Sequence, residues 1–223
     1  ALLGGHHYHV GGFVYDGAKR GYIDRNGNIV IDSKKDKVWP MTSYGTVIKD
    51  SGKLCFVNRK GEIVIQPGDY DAGEMDKFNG LLALKDNSSD KWGVFDVSTG
   101  KQVVSFKYDS ISFAGTDRLV VVKDHVKNLI NMSTGKSLYS AQTEATIEPF
   151  NSDTVTWVHT GKDAYTIIDN DGHVLFRDTN NSIEDVKSFN HGFSSVKSKG
   201  KWGVMNAKGE WVVQPTYEAV NIL

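Results

Sequence analysis

The sequence predicts an all-β protein, a six-bladed β-propeller of about 37-residue repeats that is closed by the C-terminal strand joining the first blade. Three observations predict this fold: a turn motif that occurs six times, an aromatic or glycine marker before each turn, and a Pro-Tyr-Asp marker after several of them. Together they span residues 1–223, which we interpret as a single domain. The alternative fold is a linear solenoid of stacked β-hairpins.

The turn motif is clearest near the C-terminus, in Asn206-Ala207-Lys208-Gly209. An Asx residue in first position and a glycine in fourth are typical of a type I turn whose last residue has a positive φ. Short runs rich in valine and tryptophan flank it, at 202–204 and 211–213, which indicates a β-hairpin. Equivalent turn glycines lie at positions 27, 61, 100, 135, 172 and 209, at spacings of 34 to 39 residues.

The other two markers keep the same period. A short apolar strand follows a Phe or Gly marker before each hairpin, for example at Phe78…Gly80 and Phe189…Gly192. Each repeat therefore offers about four strands, the content of one propeller blade. Residues Tyr217 to Leu223 match the segment that opens each repeat, and the N-terminus lacks a clear copy. We expect this C-terminal segment to complete the first blade, because closure removes unpaired sheet edges.

The third strand of each repeat carries a recognisable sequence. Lys91-Trp92-Gly93-Val94 and Lys201-Trp202-Gly203-Val204, each followed by an Asx residue and a turn glycine, resemble the bacterial WG-repeat family. The corresponding positions of the other repeats are Arg20-Gly21, Leu54-Cys55, Lys127-Asn128 and Tyr165-Thr166. The resemblance implies propeller-like repeats without a uniform activity. It also implies a bacterial, extracytoplasmic or secreted protein, and a chain that begins with Ala1 is compatible with removal of a signal peptide.

The composition bears on the partners. Lys and Arg number 26 against 27 Asp and Glu, so the net charge is −1 and no basic surface for nucleic acid is expected. No apolar run approaches the roughly 20 residues of a membrane-spanning helix, so we expect no membrane insertion. Cys55 is the only cysteine, which excludes an internal disulfide and indicates a buried structural thiol.

No motif indicates catalysis. The sequence has neither a Gly-x-Ser-x-Gly elbow nor a Walker-type phosphate loop, so we expect no enzyme activity, no catalytic residue and no cofactor. The cluster His6-His7-Tyr8-His9 has imidazoles that suit a transition metal, but a flexible terminal tract is the favoured interpretation. Asp169-Asn170-Asp171-Gly172 resembles part of a calcium loop, yet Ile167 stands at the first ligand position. We interpret this segment as a turn and expect no metal site.

The aromatic residues carry the functional hypothesis. Trp39 and Trp157 match no shared tryptophan position of the repeats, and Tyr44 and His159 lie near them in the sequence. Exposed aromatic rings anchor protein partners or stack on sugar rings. The sequence therefore predicts a non-catalytic binding or scaffold module that engages a protein or surface partner through one propeller face. The alternative is a lectin-like carbohydrate-binding module that uses exposed Trp residues, and a third interpretation is that these Trp side chains fill gaps between repeats.

Overall fold

The structure of the protein is a computed structural model, which describes residues 12–16, 19–35, 37–161 and 164–223. The described residues form 23 strands and no helix, so the predicted all-β class is confirmed for them. In this part of the chain, accordingly, there is no helix with the length and hydropathy needed to cross a membrane. The strands form six antiparallel sheets, one per repeat, of which the first has three strands and the other five have four.

The chain divides into two compact units, and the first extends to Tyr108. Its three sheets consist of consecutive strands. Sheet 1 contains β1 (Gly12–Asp16), β2 (Lys19–Ile23) and β3 (Ile29–Lys35); sheet 2 contains β4 (Lys37–Val38), β5 (Thr46–Asp50), β6 (Lys53–Val57) and β7 (Ile63–Gly68); sheet 3 contains β8 (Tyr70–Asp76), β9 (Leu81–Asp86), β10 (Lys91–Asp96) and β11 (Gln102–Tyr108).

The second unit runs from Asp109 to Leu223 and also has three sheets. Sheet 4 contains β12 (Ser110–Gly115), β13 (Arg118–Lys123), β14 (Val126–Asn131) and β15 (Ser137–Gln142); sheet 5 contains β16 (Thr146–Ile147), β17 (Val155–His159), β18 (Thr166–Asp169) and β19 (Val174–Arg177); sheet 6 contains β20 (Asp185–Val186), β21 (Phe193–Ser198), β22 (Lys201–Asn206) and β23 (Trp211–Tyr217).

Each sheet is a meander in which neighbouring strands in sequence pair with each other. Four-stranded antiparallel meanders are the organisation of propeller blades, whereas stacked hairpins would give two strands per unit. Sheets 2 to 6 therefore have the blade-like form that the sequence predicts. In sheet 1, β2 and β3 flank the first turn, so the described strands lack a counterpart of the first strand of the other sheets. The prediction assigned Tyr217 to Leu223 to that place; Tyr217 belongs to β23, and residues 218–223 form no strand.

The predicted turns are confirmed. All six turn glycines have a positive φ, between 75° and 85°. In the clearest turn, Oδ1 of Asn206 accepts the backbone N–H of Lys208 at 2.9 Å and that of Glu210 at 3.0 Å. Asp24, Asn58 and Asp169 accept the same pair of N–H groups in their own turns. The Asx side chain thus fixes each turn locally, as the residue pattern indicates.

Several turn glycines also lie against the last strand of the preceding sheet. A Cβ on Gly61 would lie 2.2 Å from the carbonyl oxygen of Val30 in β3. On Gly172 it would lie 2.0 Å from that of Leu138 in β15. These positions require glycine twice over, for the backbone angle and for the close approach of a neighbouring sheet.

The Trp-Gly pair requires its glycine for a different reason. A Cβ on Gly203 would lie 2.4 Å from the carbonyl oxygen of Val213 in the fourth strand of its own sheet. Trp202 pairs with Tyr217 and Val204 with Val213, so β23 has two residues more than β22 over this interval. This is a bulge that folds over the glycine, and a Cβ would collide with it.

The size of the bulge follows the residue at the glycine position. Sheets 1, 3 and 6 have Gly21, Gly93 and Gly203 there, and each has two extra residues in its last strand. Sheet 2 has Cys55 and one extra residue. Sheets 4 and 5, with Asn128 and Thr166, pair without an extra residue at this point. The predicted correspondence of the six Trp-Gly positions is therefore confirmed on the third strands, and the glycine is present where the bulge is largest.

The hydrophobic core lies between the sheets of each unit and uses both faces of the inner strands. In β13, Leu119, Val120 and Val121 are all buried, because successive side chains point to opposite faces and each face is covered. Cys55 is 5 % exposed, and burial raises the pKa of its thiol, as expected of a structural cysteine.

The bulge predicts the effect of a substitution at Gly203. Gly203→Ala should lower the free energy of unfolding by about 1–3 kcal/mol, because the carbonyl of Val213 must move to admit the methyl group. Gly161→Ala is the matched control, since no atom lies within 4 Å of a Cβ there. Urea denaturation of the two variants and the parent protein measures the difference, and equal stability of both variants would contradict the bulge assignment.

Candidate functional site

In sheet 3 the aromatic marker residue, Phe78, is exposed to solvent, unlike its equivalents in repeats 5 and 6. In repeats 5 and 6 this residue is buried, with Phe150 and Phe189 each 4 % exposed. Phe78 is 96 % exposed, and Met75 packs against the core in this repeat. The cause is visible in the sequence, because one residue separates Phe78 from Gly80 and two residues separate Phe189 from Gly192. The shorter spacing places the Phe78 ring outside the core.

The backbone that carries Phe78 is held in place. Oδ1 of Asp76 accepts the N–H of Phe78 at 3.0 Å and the N–H of Asn79 at 3.1 Å. Oδ2 of Asp76 accepts the side-chain amide of Asn79 at 2.8 Å. The Tyr44 hydroxyl donates to the carbonyl oxygen of Phe78 at 3.4 Å. An exposed ring is thus presented from a loop whose conformation is already set.

An aromatic residue and two basic residues lie on the segments that adjoin the Phe78 loop. The Tyr44 ring lies against Gly80, where an added Cβ would approach it to 2.8 Å. Arg59 donates from Nη1 to the carbonyl oxygen of Thr42 at 3.1 Å, in the loop that carries Tyr44, and Lys77 is exposed next to Phe78 in sequence. We call Tyr44, Arg59, Lys77 and Phe78 the Phe78 patch. The sequence prediction named Tyr44 and missed Phe78, although the shortened spacing was a usable signal.

A cleft of about 390 Å³ lies between sheets 2 and 3 and contains Trp39, another predicted contact residue. We call it the aromatic cleft; its lining residues are Lys37, Trp39, Lys49, Leu54, Tyr70, Asp71, Ala72 and Trp92. Nζ of Lys37 lies 4.6 Å from the centroid of the Trp39 ring. The Trp92 ring rests on Gly73, where a Cβ would approach it to 2.5 Å. Trp39 and Trp92 are both half-buried, so each keeps some surface open to the cleft.

The expectation that Trp157 is exposed is wrong, since its side chain is only 1 % accessible. Its ring stacks on Phe189 with centroids 5.4 Å apart, and its Nε1–H donates to Oγ of Ser194 at 2.8 Å. Trp157 thus fills the space between sheets 5 and 6, and Ser194 satisfies its polar group. The ring cannot stack on a sugar in this conformation.

His159, the fourth predicted contact residue, is held in an ionisable cluster of the second unit. Its Nε2 lies 3.0 Å from Oε1 of Glu148, and the Tyr165 ring stacks on the imidazole with centroids 5.1 Å apart. Burial raises the pKa of the Tyr165 hydroxyl, and the carboxylates of Asp185 and Glu148 raise it further. An adjoining groove of about 330 Å³ is lined by Glu148, Trp157, Val186, Lys187 and Ser188.

This cluster does not have the form of a nucleophilic site. Among the described residues, the side chains of Glu148 and His159 hydrogen-bond each other and no Ser, Thr or Cys side chain. The Tyr165 hydroxyl donates to the carbonyl oxygen of Glu184 at 3.3 Å. A base must reach the proton of its nucleophile, and no described contact supplies this.

Asp169, Asp171 and His173 form a group that resembles a cation site, with one ligand atom of each within 4.8 Å of the others. Their atoms already have partners. Oδ1 of Asp169 accepts the two turn N–H groups, and its Oδ2 lies 3.0 Å from Nδ1 of His173. Asp171 pairs with Nη2 of Arg118 at 3.2 Å. The turn interpretation accounts for this geometry, and the His6, His7 and His9 cluster lies outside the described residues.

The fold and its repeats define a class, the β-repeat proteins built from four-stranded antiparallel sheets. Within that class the description "WG containing repeat" matches residues 21–48, 56–88, 92–124 and 202–221, about half of the chain. The chain therefore belongs to the WG-repeat family. The unmatched stretch between residues 124 and 202 contains sheet 5 and the part of sheet 4 in which the bulge is absent.

Solved structures are similar to this chain, and the first of the three that follow supports the fold. The crystal structure of a eukaryotic initiation factor gives a TM-score of 0.56 at 12% identity, over 86% of this chain and 59% of that chain. Hsv2 of Kluyvelomyces marxianus gives 0.49 at 8% identity, over 92% and 81%. BamB from Moraxella catarrhalis gives 0.42 at 12% identity, over 89% and 68%. The chain spans about three fifths of the initiation factor chain, and at this identity the likeness shows the fold alone. No curated protein matches the sequence.

Replacing a buried marker phenylalanine should lower stability far more than replacing the exposed one. Phe189→Ala should lower the free energy of unfolding by about 3–5 kcal/mol, because it leaves a cavity beside Trp157. Phe78→Ala should change it by no more than about 0.5 kcal/mol, because the ring packs against little of the protein. Denaturant unfolding of both variants measures this, and a large loss in Phe78→Ala would show that the ring belongs to the core.

Proposed function

We propose that the protein is a non-catalytic binding module that docks a protein partner on the Phe78 patch. The observation that carries the proposal is Phe78 itself, 96 % exposed where the repeat buries its aromatic residue. An aromatic ring held on a pre-set loop loses little conformational freedom when it binds. Binding hot spots are enriched in Tyr, Trp and Arg. Tyr44 bonds the backbone of Phe78, and Arg59 bonds the loop that carries Tyr44.

The charges around the ring describe the partner. Arg59 and Lys77 are basic, and the nearby carboxylate of Asp76 is occupied by the N–H groups of its own loop. A partner surface with an apolar pocket and an acidic rim complements this arrangement. Such charge complementarity speeds association and selects the partner more than it adds affinity.

The proposal is non-catalytic because the best candidate for acid–base chemistry is otherwise engaged. Glu148 and His159 pair with each other, and the ring of Tyr165 covers the imidazole.

The fold supports binding by holding loops in fixed positions. Successive four-stranded sheets give stiff positions from which loops are presented, and binding residues are commonly found on such loops.

A second candidate function is carbohydrate binding, which one observation favours. Trp39, Tyr70 and Trp92 line the aromatic cleft together with charged side chains. Aromatic walls with a few polar groups are typical of small-ligand clefts. Trp157 takes no part in this candidate, because it is buried.

We also propose that the six sheets are blades of one closed ring, in which residues 218–223 supply the first strand of sheet 1. Two observations support this. The described part of sheet 1 lacks a counterpart of that strand, and the C-terminal segment lies close enough to sheet 6 for Ser195 Oγ to donate to the carbonyl oxygen of Val220 at 3.0 Å. Closure would cover an otherwise unpaired strand edge.

Capture of the partner tests the main proposal. Cross-linked complexes are recovered from the native source with the parent protein, Phe78→Ser and Arg59→Gln. We expect one acidic protein that the parent retains and both variants lose by at least about tenfold, since each removes a hot-spot contact.

Phe193→Ser is the matched control, because Phe193 is also an exposed phenylalanine, at 40 %, and lies in the other unit. It should retain the partner. Retention by Phe78→Ser, or equal loss in Phe193→Ser, would contradict docking on the Phe78 patch.

Amide hydrogen exchange tests whether the six sheets form a closed ring. Removal of residues 218–223 should speed exchange in β1 (Gly12–Asp16), because that strand would lose its neighbour on one side. Exchange in β9 (Leu81–Asp86), which keeps both neighbours, is the internal reference. Unchanged exchange in β1 would contradict closure by the C-terminal segment.

A further inference from the structure

The aromatic cleft has an unbalanced charge. Lys37 and Lys49 both line it, and among the described residues neither has a carboxylate within salt-bridge distance. The acidic residue of the cleft, Asp71, has its partners outside the lining, and one of them, Lys85, also pairs with Asp90 at 3.3 Å. The Asp71 carboxylate lies 3.5 Å from Nζ of Lys85 and accepts the side-chain amide of Asn87 at 3.3 Å. The cleft therefore presents two positive charges to a ligand.

The remaining lining is suited to a ring. Trp39, Tyr70 and Trp92 are half-buried, so part of each aromatic surface faces the cleft. The volume of about 390 Å³ lies within the range of about 300–1,000 Å³ that is typical of ligand clefts. Flat apolar surface beside polar groups matches a molecule that is apolar on one face and hydroxylated at its edge, which describes a pyranose ring.

The same repeat positions in the second unit provide an internal comparison. Trp39 and Glu148 are equivalent, because each donates its N–H to the second strand and accepts a threonine hydroxyl, from Thr46 and Thr156 respectively. By the same register His159 stands at the position of Lys49.

The chemistry at these equivalent positions is opposite. The second unit has a carboxylate where the first has an indole, and Lys187 covers Trp202 at 5.3 Å where Gly73 leaves room for Trp92. Trp202 stands at the position of Trp92, so that tryptophan belongs to the repeat. The fold does not require Trp39, Lys37 or Lys49, whose equivalents are Glu148, Thr146 and His159, which points to a ligand as the reason for these three residues.

We propose that the aromatic cleft binds an anionic polysaccharide through a uronic acid unit. The C–H face of the sugar lies on Trp92, and its carboxylate pairs with Lys49 and with Lys37, whose ammonium group lies over the Trp39 ring. This inference rests on the second candidate function, carbohydrate binding, and names its substrate class. It is independent of the Phe78 patch, whose partner is a protein.

The test is titration calorimetry with three probes: a tetramer of galacturonic acid, the neutral tetramer of glucose, and a tetramer of thymidylate. The parent protein should bind the galacturonate tetramer at least about tenfold more tightly than the neutral one. The Lys37→Gln/Lys49→Gln double variant should lose at least about tenfold of that affinity, and added salt should weaken binding of the parent because exposed charges are screened. Both lysines are at least partly exposed, so the variant retains the packing of the sheets.

The matched control is the His159→Gln/Lys187→Gln double variant in the equivalent cleft, which should bind as the parent does. Phe78→Ser should also bind normally. Equal affinity for both sugars would overturn the uronate assignment and keep the carbohydrate candidate, whereas no sugar binding would overturn both and leave the Phe78 proposal standing. Tighter binding of the thymidylate tetramer through the same lysines would replace the sugar by a nucleic acid and overturn the inference.

Discussion

The close contact between a hairpin turn and the preceding sheet, which four of the six turn glycines make, is the constraint on which the rest of the structure depends. Gly61 and Gly172 lie so near a neighbouring carbonyl that no side chain fits, and their positive φ is what turns the chain back. One residue therefore closes a hairpin and sets the distance between two sheets. Core residues such as Leu129 and Ile168 fill the space that this distance leaves.

The Trp-Gly pair follows from a second backbone contact. Gly93 and Gly203 leave room for a bulge of two residues in the fourth strand, Cys55 allows one, and Asn128 and Thr166 allow none. A repeat that loses the glycine also loses the bulge, so the sequence signature and the backbone change together. This explains why the family description stops short of most of repeats 4 and 5, although both retain the turn.

Local features were predictable, and features that depend on a second repeat were not. The turn at Asn206 could be predicted because the Asx side chain and the glycine act within five residues. The burial of Trp157 could not, since it depends on Phe189 and Ser194, one repeat away. The exposure of Phe78 could be predicted only in part. The shortened spacing to Gly80 is in the sequence, but its consequence appears only once Met75 is placed in the core.

The proposed function rests on residues that depart from the repeat. Phe78 faces solvent where the repeat buries its aromatic residue, and the docking of a protein partner on that ring is the central claim. The most direct measurement is amide exchange of the chain with and without its captured partner, read by mass spectrometry. The account predicts slower exchange in residues 41–45 and 76–80, which carry Tyr44 and Phe78. Protection confined to the second unit would contradict it.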